Sequence, residues 1–587
     1  MKNTNMKKKA LLFGTLPVLA LAAGMFFINS DDEKGAYQPR ATAEFANPTL
    51  GERFELYELM KGDVSKENWE RIRAQANAIP QNRATFNWID EGPDNIGGRT
   101  RAIAIDRTNQ GHIYAGSVSG GLFESVTRAN NWTRVEEFTS NLAISSICQT
   151  PDGVLYVATG HLQERVSGTS GSVDSGANGD GVYKRAADLS WSVIPGTEDF
   201  TFINEIVSDD VNNIVWMATN DGLKKYDPVT DVLYDIDGGI GGGTCTSLAI
   251  SKDGTLLVVN AGAGTKTYVS TDGGVTFSDR SDGDLPNPIG TSGSRFEYAI
   301  SHERLDGNYV VYCSAASSFL TGVYRSADNG MNWSLIAPGH NQVTGPLPGT
   351  FAPFSSGGNG QGTYDNIITV VPGSPNRILL GGIDCYTWAL GTVNWKRVSQ
   401  WFYSPTSFKY VHADNHEMVW DNLGRLYIGN DGGISFSDNA KTSIDPDFHH
   451  ANRGYNVTQF YAMGFSAHGD VIGGAQDNGT TVNYHDNSTW SEHKRYGGGD
   501  GFTADISFIN RNLAFGTVYF ASMYRSNDRG ANASTFGPDL ESEYGCVTGM
   551  IGGTGCGSFY TVIELWENPN DLASEDLTDN YLSVRLI

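Results

Sequence analysis

Ser270-Thr271-Asp272-Gly273-Gly274-Val275-Thr276-Phe277 and Ser326-Ala327-Asp328-Asn329-Gly330-Met331-Asn332-Trp333 share one pattern, S-x-D-x-G-x-[TN]-aromatic. The chemistry of the pattern is structural. An aspartate with a following glycine closes a tight turn, the serine hydroxyl satisfies turn backbone groups, and the closing aromatic is a wedge between neighbouring units. Ser526-Asn527-Asp528-Arg529-Gly530 is a degraded copy, and the stretch from Ser125 to Trp132 keeps only the ends.

Outward from these turns, a strand-turn-strand pattern recurs from Phe86 onward. Nine units are legible. HIYAGSVSGGLFES ends at Ser125, GVLYVATG with GVYKR at Arg185, and NIVWMATNDGLKKY at Tyr226. TLLVVNAGAGTKTYVS ends at Ser270, NYVVYCSAASSFLTGVYRS at Ser326, and RILLGGIDCYTWAL at Leu390. RLYIGNDGGISFS ends at Ser437, DVIGGAQDNGTTVNY at Tyr484, and LAFGTVYFASMYRS at Ser526. The ends fall about 40 to 65 residues apart, the period of a four-stranded propeller blade with loop insertions. Long helical patterns between the strands are absent, which removes α/β alternatives. The fold class is therefore an all-β propeller. It is either a single large disc of about ten blades or a seven-bladed disc with a partial second.

Composition agrees. The 587 residues include 71 Gly and only 20 Pro, and charged residues make up 18%, below the roughly 25% usual for globular proteins. With 39% apolar and 11% aromatic residues the chain is not disordered. Lys+Arg number 41 against 66 Asp+Glu, a net charge of −25. That balance argues against nucleic acid as a partner and against docking on an anionic membrane surface.

At the N-terminus, Lys7, Lys8 and Lys9 precede a largely apolar run from Ala10 to Ile28, and Asp31, Asp32 and Glu33 follow. This reads as an export signal over 1–30, a cleaved signal peptide or a retained single membrane anchor. Residues 31–84 read as a linker with short helices. Phe54, Leu56, Leu59 and Met60 lie near one face, Ser65 is an N-cap candidate before Trp69, Ile72 and Ala76, and Pro80 stops the pattern. Residues 85–587 read as the propeller, either complete or unfinished at its C-terminus. Cys148, Cys245, Cys313 and Cys385 read as small buried hydrophobes. Cys546 and Cys556 flank a Gly-rich stretch and are a disulfide candidate in an oxidising compartment.

The turn pattern resembles the Asp-box, the bacterial neuraminidase repeat, with Ser270, Asp272, Gly274, Phe277, Ser326, Asp328, Gly330 and Trp333 as its structural residues. GPDNIGGRTRAIAID (92–106), HADNHEMVWDNLGRLYIGNDGGISFS (412–437), GGAQDNG (473–479) and GGGDGF (497–502) together resemble the sortilin-like and glycosidase-like Asp-box propellers of secreted Bacteroidetes-type proteins. Many such proteins are similar to type IX secretion cargo. The sortilin likeness favours the single large disc, and the family likeness implies a secreted or cell-surface location.

A propeller's inner strand starts, and its second strand ends, at the same face of the disc. His412, Asp414 and His416 alternate, so a strand puts all three on one side. Asp431, Gln476 and Asp477 follow second strands and Asp500 precedes an inner one. These residues should converge on one rim as a ligand site. Imidazole with carboxylate can hold a divalent metal, and carboxylates with turn carbonyls can hold calcium. Two carboxylates can also act as acid and base on a glycoside.

A complete catalytic set is absent. The early R-I-P signature of sialidases is missing, and Arg99, Arg101 and Arg295 stand apart from any matching frame. Xyloglucan-type glycosidases carry a catalytic aspartate beside the Gly-Gly turn of the first blade; here Gly116-Ser117-Val118-Ser119-Gly120-Gly121 holds no carboxylate. The reading is a non-catalytic propeller that binds an extracellular protein segment or a glycan. A sialidase-like or xyloglucanase-like glycoside hydrolase and a structural surface module are the alternatives.

Overall fold

The computed structural model describes residues 90–162, 178–262, 266–290, 293–340, 351–356, 359–392, 394–484, 492–536, 559–565, 567 and 582–584. The export segment, the helical lead and the Cys546/Cys556 pair lie outside the described residues. The described residues form nine four-stranded antiparallel sheets and contain no α-helix. Blades 1 to 9 span residues 100–134, 144–193, 203–235, 245–279, 295–340, 367–397, 415–450, 460–495 and 504–536, and in each the strands pair in chain order. A short hairpin pairs Ile563–Leu565 with Leu582–Val584.

Second strands such as IVWMAT (Ile214–Thr219), LVVNA (Leu257–Ala261) and LYIGN (Leu426–Asn430) are short apolar runs that bury nearly every residue. Such a run suits a strand covered on both faces, which blade-on-blade stacking provides. Each interface is an apolar cluster drawn from two consecutive blades. Trp216, Ala218 and Leu223 of blade 3 meet Leu248, Leu257 and Phe277 of blade 4, for example. Cys148, Cys245, Cys313 and Cys385 are free and buried in these layers.

The ring closes after seven blades, which corrects the single large disc. Trp132 of blade 1 and Tyr455, just past blade 7, share a cluster with Ile113, Phe123, Tyr427 and Ile434. Trp132 Nε1 donates to the Ala451 carbonyl at 2.6 Å, and the Thr100 hydroxyl donates to Tyr455 Oη at 3.1 Å. Arg128 donates to the fully buried carboxylate of Asp421 at 2.6 Å. Blade 7 thus packs on blade 1, and blades 8 and 9 with the Ile563–Leu565 hairpin begin a second, partial stack outside the ring.

The S-x-D turns are hydrogen-bonded as their composition requires. Gly274 N–H donates to Ser270 Oγ at 2.9 Å, and Thr276 donates to Asp272 through its backbone and its hydroxyl at 2.9 and 2.6 Å. Gly330 and Asn332 repeat this on Ser326 and Asp328. Gly530 and Asn532 repeat it on Ser526 and Asp528, so the degraded copy keeps the full network. Phe277 and Trp333 are buried against the preceding blade.

Along the axis the ring encloses a cavity of about 290 Å³, lined by inner-strand residues that include Arg101, Glu205, Arg295, Glu297 and Glu417. Burial pushes the Glu417 carboxyl up to about 8, with Glu297 adding repulsion.

Two outcomes follow. Gly274 sits at φ +83°, and a Cβ there would meet the Trp216 ring at 2.3 Å, whereas at Gly273 (φ +72°) the nearest atom is 3.5 Å away. Gly273→Ala should cost about 1–2 kcal/mol for the left-handed backbone, and Gly274→Ala about 1–3 kcal/mol more, read from urea denaturation midpoints. For Glu417, the unfolded chain ionises near the ordinary 4.5 while the folded chain keeps its proton up to about 8. Stability is therefore lost as pH rises through that window. Glu417→Gln should raise Tm over wild type by a margin that widens between pH 5 and pH 8, about the two ends of that window.

Candidate functional site

The chain enters blade 1 through Arg99 and leaves the second strand of blade 7 at Asp431. Ring closure brings the two together. Arg99 donates to Asp431 through Nε at 3.0 Å and through Nη2 at 3.1 Å, and the same Nη2 donates to Asp477 Oδ2 at 3.1 Å. Asp431 also accepts from Tyr364 Oη at 2.6 Å and, with His416 protonated on Nε2, from His416 at 2.6 Å. Each of its oxygens thereby takes two donors, which uses all four lone-pair sites of a carboxylate.

The expected residues do converge on one face, opposite the S-x-D turns, but not by strand alternation. The blade 7 inner strand begins at Asn415, and Asp414 has φ +67°, so His412 and Asp414 belong to the turn ahead of it. His416 sits at a register shift between Asn415 and Glu417, which turns its side chain toward Asp431. His412 Nε2 lies 3.1 Å from the Asp477 carbonyl, and Asp500 Oδ1 accepts the Asp477 N–H at 2.9 Å. Gln476 is partly buried and its carbonyl accepts from Asn478 Nδ2 at 3.0 Å. Asn478 Nδ2 also donates to the Asp431 carbonyl, which ties blade 8 to blade 7.

Three residues of the site come from the insertion before blade 6. The Gln361 amide bridges Asp414 and Asp365, the latter at 3.2 Å, and Tyr364 supplies the hydroxyl on Asp431. One signal was available for Asp365. Asp365-Asn366 precedes an inner strand as Asp414-Asn415 does, and each asparagine amide donates to a carbonyl of the preceding blade, at 3.2 and 2.6 Å. Arg99, Arg101 and Arg295, isolated in sequence, gather around Tyr364: the first two guanidinium groups lie 5.0 and 5.3 Å from its ring, and Arg295 donates to its carbonyl.

The charges split. Burial alone would raise Asp431, but Arg99 and His416 outweigh it and hold Asp431 well below the usual carboxylate range. Burial, reinforced by neighbouring carboxylates, raises Asp414 and Asp477 well above it, and burial raises Asp365 and Asp500. Burial, with Arg495 nearby, pushes His412 down to about 4. Oxygens of Asp414, Asp431 and Asp477 lie within 4.8 Å of one another, a spacing compatible with a cation. The donor set does not fit one. Asp431 has no free lone pair, and the Arg99 guanidinium already stands between Asp431 and Asp477.

Beside Asp477 and Asp500 lies an aromatic surface. Tyr461, Phe559 and Tyr560 are 40%, 48% and 36% exposed and surround buried Phe502 at ring distances of 4.9 to 5.2 Å. Tyr519 stacks on Phe559 at 5.5 Å.

No protein-family model and no curated protein matches the chain. Among solved structures, the GH74 enzyme of Niastella koreensis is similar at 15% identity and TM-score 0.53, over 80% of this chain and 69% of that one. The GH74 xyloglucanase of Xanthomonas campestris is similar at 14% identity and TM-score 0.53, over 80% and 70%. At these identities the likeness is one of fold, the β-propeller.

Arg99→Met should destabilise the protein by about 3–5 kcal/mol, because it leaves Asp431 buried with its charge uncompensated. Adding Asp431→Asn should recover part of that loss. Urea denaturation of the two variants checks both statements.

Proposed function

We propose that the chain is an exported, surface-displayed propeller that binds a glycan where the closed ring meets blades 8 and 9, without cleaving it. The observation that carries this reading is the exposed Tyr461, Phe559 and Tyr560 surface beside Asp477 and Asp500. A sugar ring offers an apolar C–H face to an aromatic plane and hydroxyl donors to carboxyl oxygens, and a few convergent polar groups beside aromatic walls are what such a site needs. A protein segment is the other class of ligand for a rim of this kind. Export rests on Lys7 to Lys9 ahead of the apolar run Ala10–Ile28, as a cleaved signal or as an anchor. The S-x-D turns keep the hydrogen bonds expected of Asp-boxes, which supports membership in that sortilin-like and glycosidase-like group.

Glycoside hydrolysis is the second reading. Asp477 and Asp500 have raised carboxyls of the kind a general acid needs, and the similar solved structures include a xyloglucanase. Against it, Asp431 is saturated as an acceptor, and the first-blade turn Gly116–Gly121 contributes no carboxylate.

A glycan array and titration calorimetry with xyloglucan oligosaccharides first, then other plant and host glycans, test the proposal. Binding is expected, with Tyr560→Ala and Asp477→Asn each weakening it about tenfold or more. Release of reducing sugar by the wild-type protein would replace binding with hydrolysis, and silence across the array would overturn the glycan reading and leave a protein segment as ligand or a structural module.

A further inference from the structure

The axial cavity is a compartment of its own. At its upper end lie His416, held by Asp431, and Arg295, whose Nη1 donates to the Tyr364 carbonyl at 2.6 Å. At the lower end, Gln149, Ser208 and Val419 are partly exposed and Arg107 is solvent-facing, so the cavity communicates with the face that carries the S-x-D turns.

The lining carries both signs of charge. Arg295 is 4% exposed. Its Nε donates to Glu297 at 2.8 Å and its Nη1 to the carbonyls of Thr363 and Tyr364, while Nη2 has no hydrogen-bond partner among the described residues. Glu205 and Glu297 share the Ser247 hydroxyl at 3.3 and 3.2 Å, and Glu205 also accepts the Leu248 N–H. Glu417 accepts only its neighbour Met418 N–H among the described residues. Blades 5, 3 and 7 thus direct an unused guanidinium edge and two carboxyl groups without a hydrogen-bonded cation into one space, which the Arg101 guanidinium and the His161 imidazole also line.

A bare cation would leave the Arg295 edge without an acceptor, and a bare anion on Arg295 and Arg101 would leave Glu205 and Glu417 without a cation. A molecule with a carboxylate at one end and an ammonium at the other satisfies both. The volume of about 290 Å³ is at the small end for ligand pockets, below what an oligosaccharide requires. We propose that the axial cavity binds a small zwitterion of the α-amino acid class, its carboxylate on Arg295 and its ammonium between Glu205 and Glu417. The ammonium also offsets the desolvation that raises both carboxyl groups. This site is independent of the glycan reading.

Calorimetry and thermal shift on the full chain test it, with glycine, alanine, serine, aspartate and lysine as probes. Propionate, ethylamine and alaninamide serve as analogues that lack one charge. At least one amino acid should bind more tightly than about 1 mM and raise Tm, with the single-charge analogues about tenfold or more weaker. Glu417→Gln and Glu205→Gln, each checked for native circular dichroism, should weaken that binding about tenfold. Absence of any signal from the amino acids overturns the proposal. So does equal binding of an amine or a carboxylate alone, or unchanged affinity in both folded variants.

Discussion

Closure of the seven-bladed ring at Trp132 and Tyr455 is the constraint on which the rest of the molecule depends. A blade has two apolar faces, and only a neighbour on each side removes both from water. Trp132 fills the last wedge and anchors its indole N–H to a carbonyl beyond blade 7. That contact aligns the entry to blade 1 with the exit of blade 7. Arg99 then meets Asp431 across 332 residues of sequence, and the candidate site exists only in the closed ring.

Above the ring axis, the site is organised around one guanidinium and several carboxyl groups. Arg99, His416 and Tyr364 satisfy Asp431 so fully that it is a structural anion rather than a reactive one. The remaining carboxyl groups carry the cost of crowding through raised proton affinity. This division separates a rigid floor from Asp477 and Asp500, which border the exposed aromatic surface and belong to blade 8 and its connection to blade 9. In the proposed glycan reading, blades 8 and 9 therefore supply the aromatic side of the binding surface.

The repeats were legible in the sequence because glycine, the S-x-D turns and strand-length apolar runs are local features. Convergence of His412, Asp414, His416, Asp431, Asp477 and Asp500 on one rim was legible for the same reason, since blade topology fixes which ends share a face. Blade number was not, because it turns on whether Trp132 finds Ala451, a pairing 319 residues apart with no local signature. The route of His416 was misread because a register shift at Asn415 breaks the two-residue period that the alternation assumed. Gln361, Tyr364 and Asp365 escaped because they lie at the end of an irregular insertion; only the recurring Asp-Asn pair ahead of an inner strand pointed to one of them.

The crossing of entry and exit has a mechanical side. Gly454 N–H donates to the Asp94 carbonyl, and the Thr458 hydroxyl donates to the carbonyls of Ile96 and Gly97. Gly98 runs so close to Val457 that an added Cβ would stand 2.2 Å from its carbonyl oxygen. Any displacement of blades 8 and 9 draws on the segment 451–459, which is clasped to the chain just ahead of blade 1. Load on that segment reaches the first and seventh blades together, so the clasp works as a buckle across the seam where the ring closes.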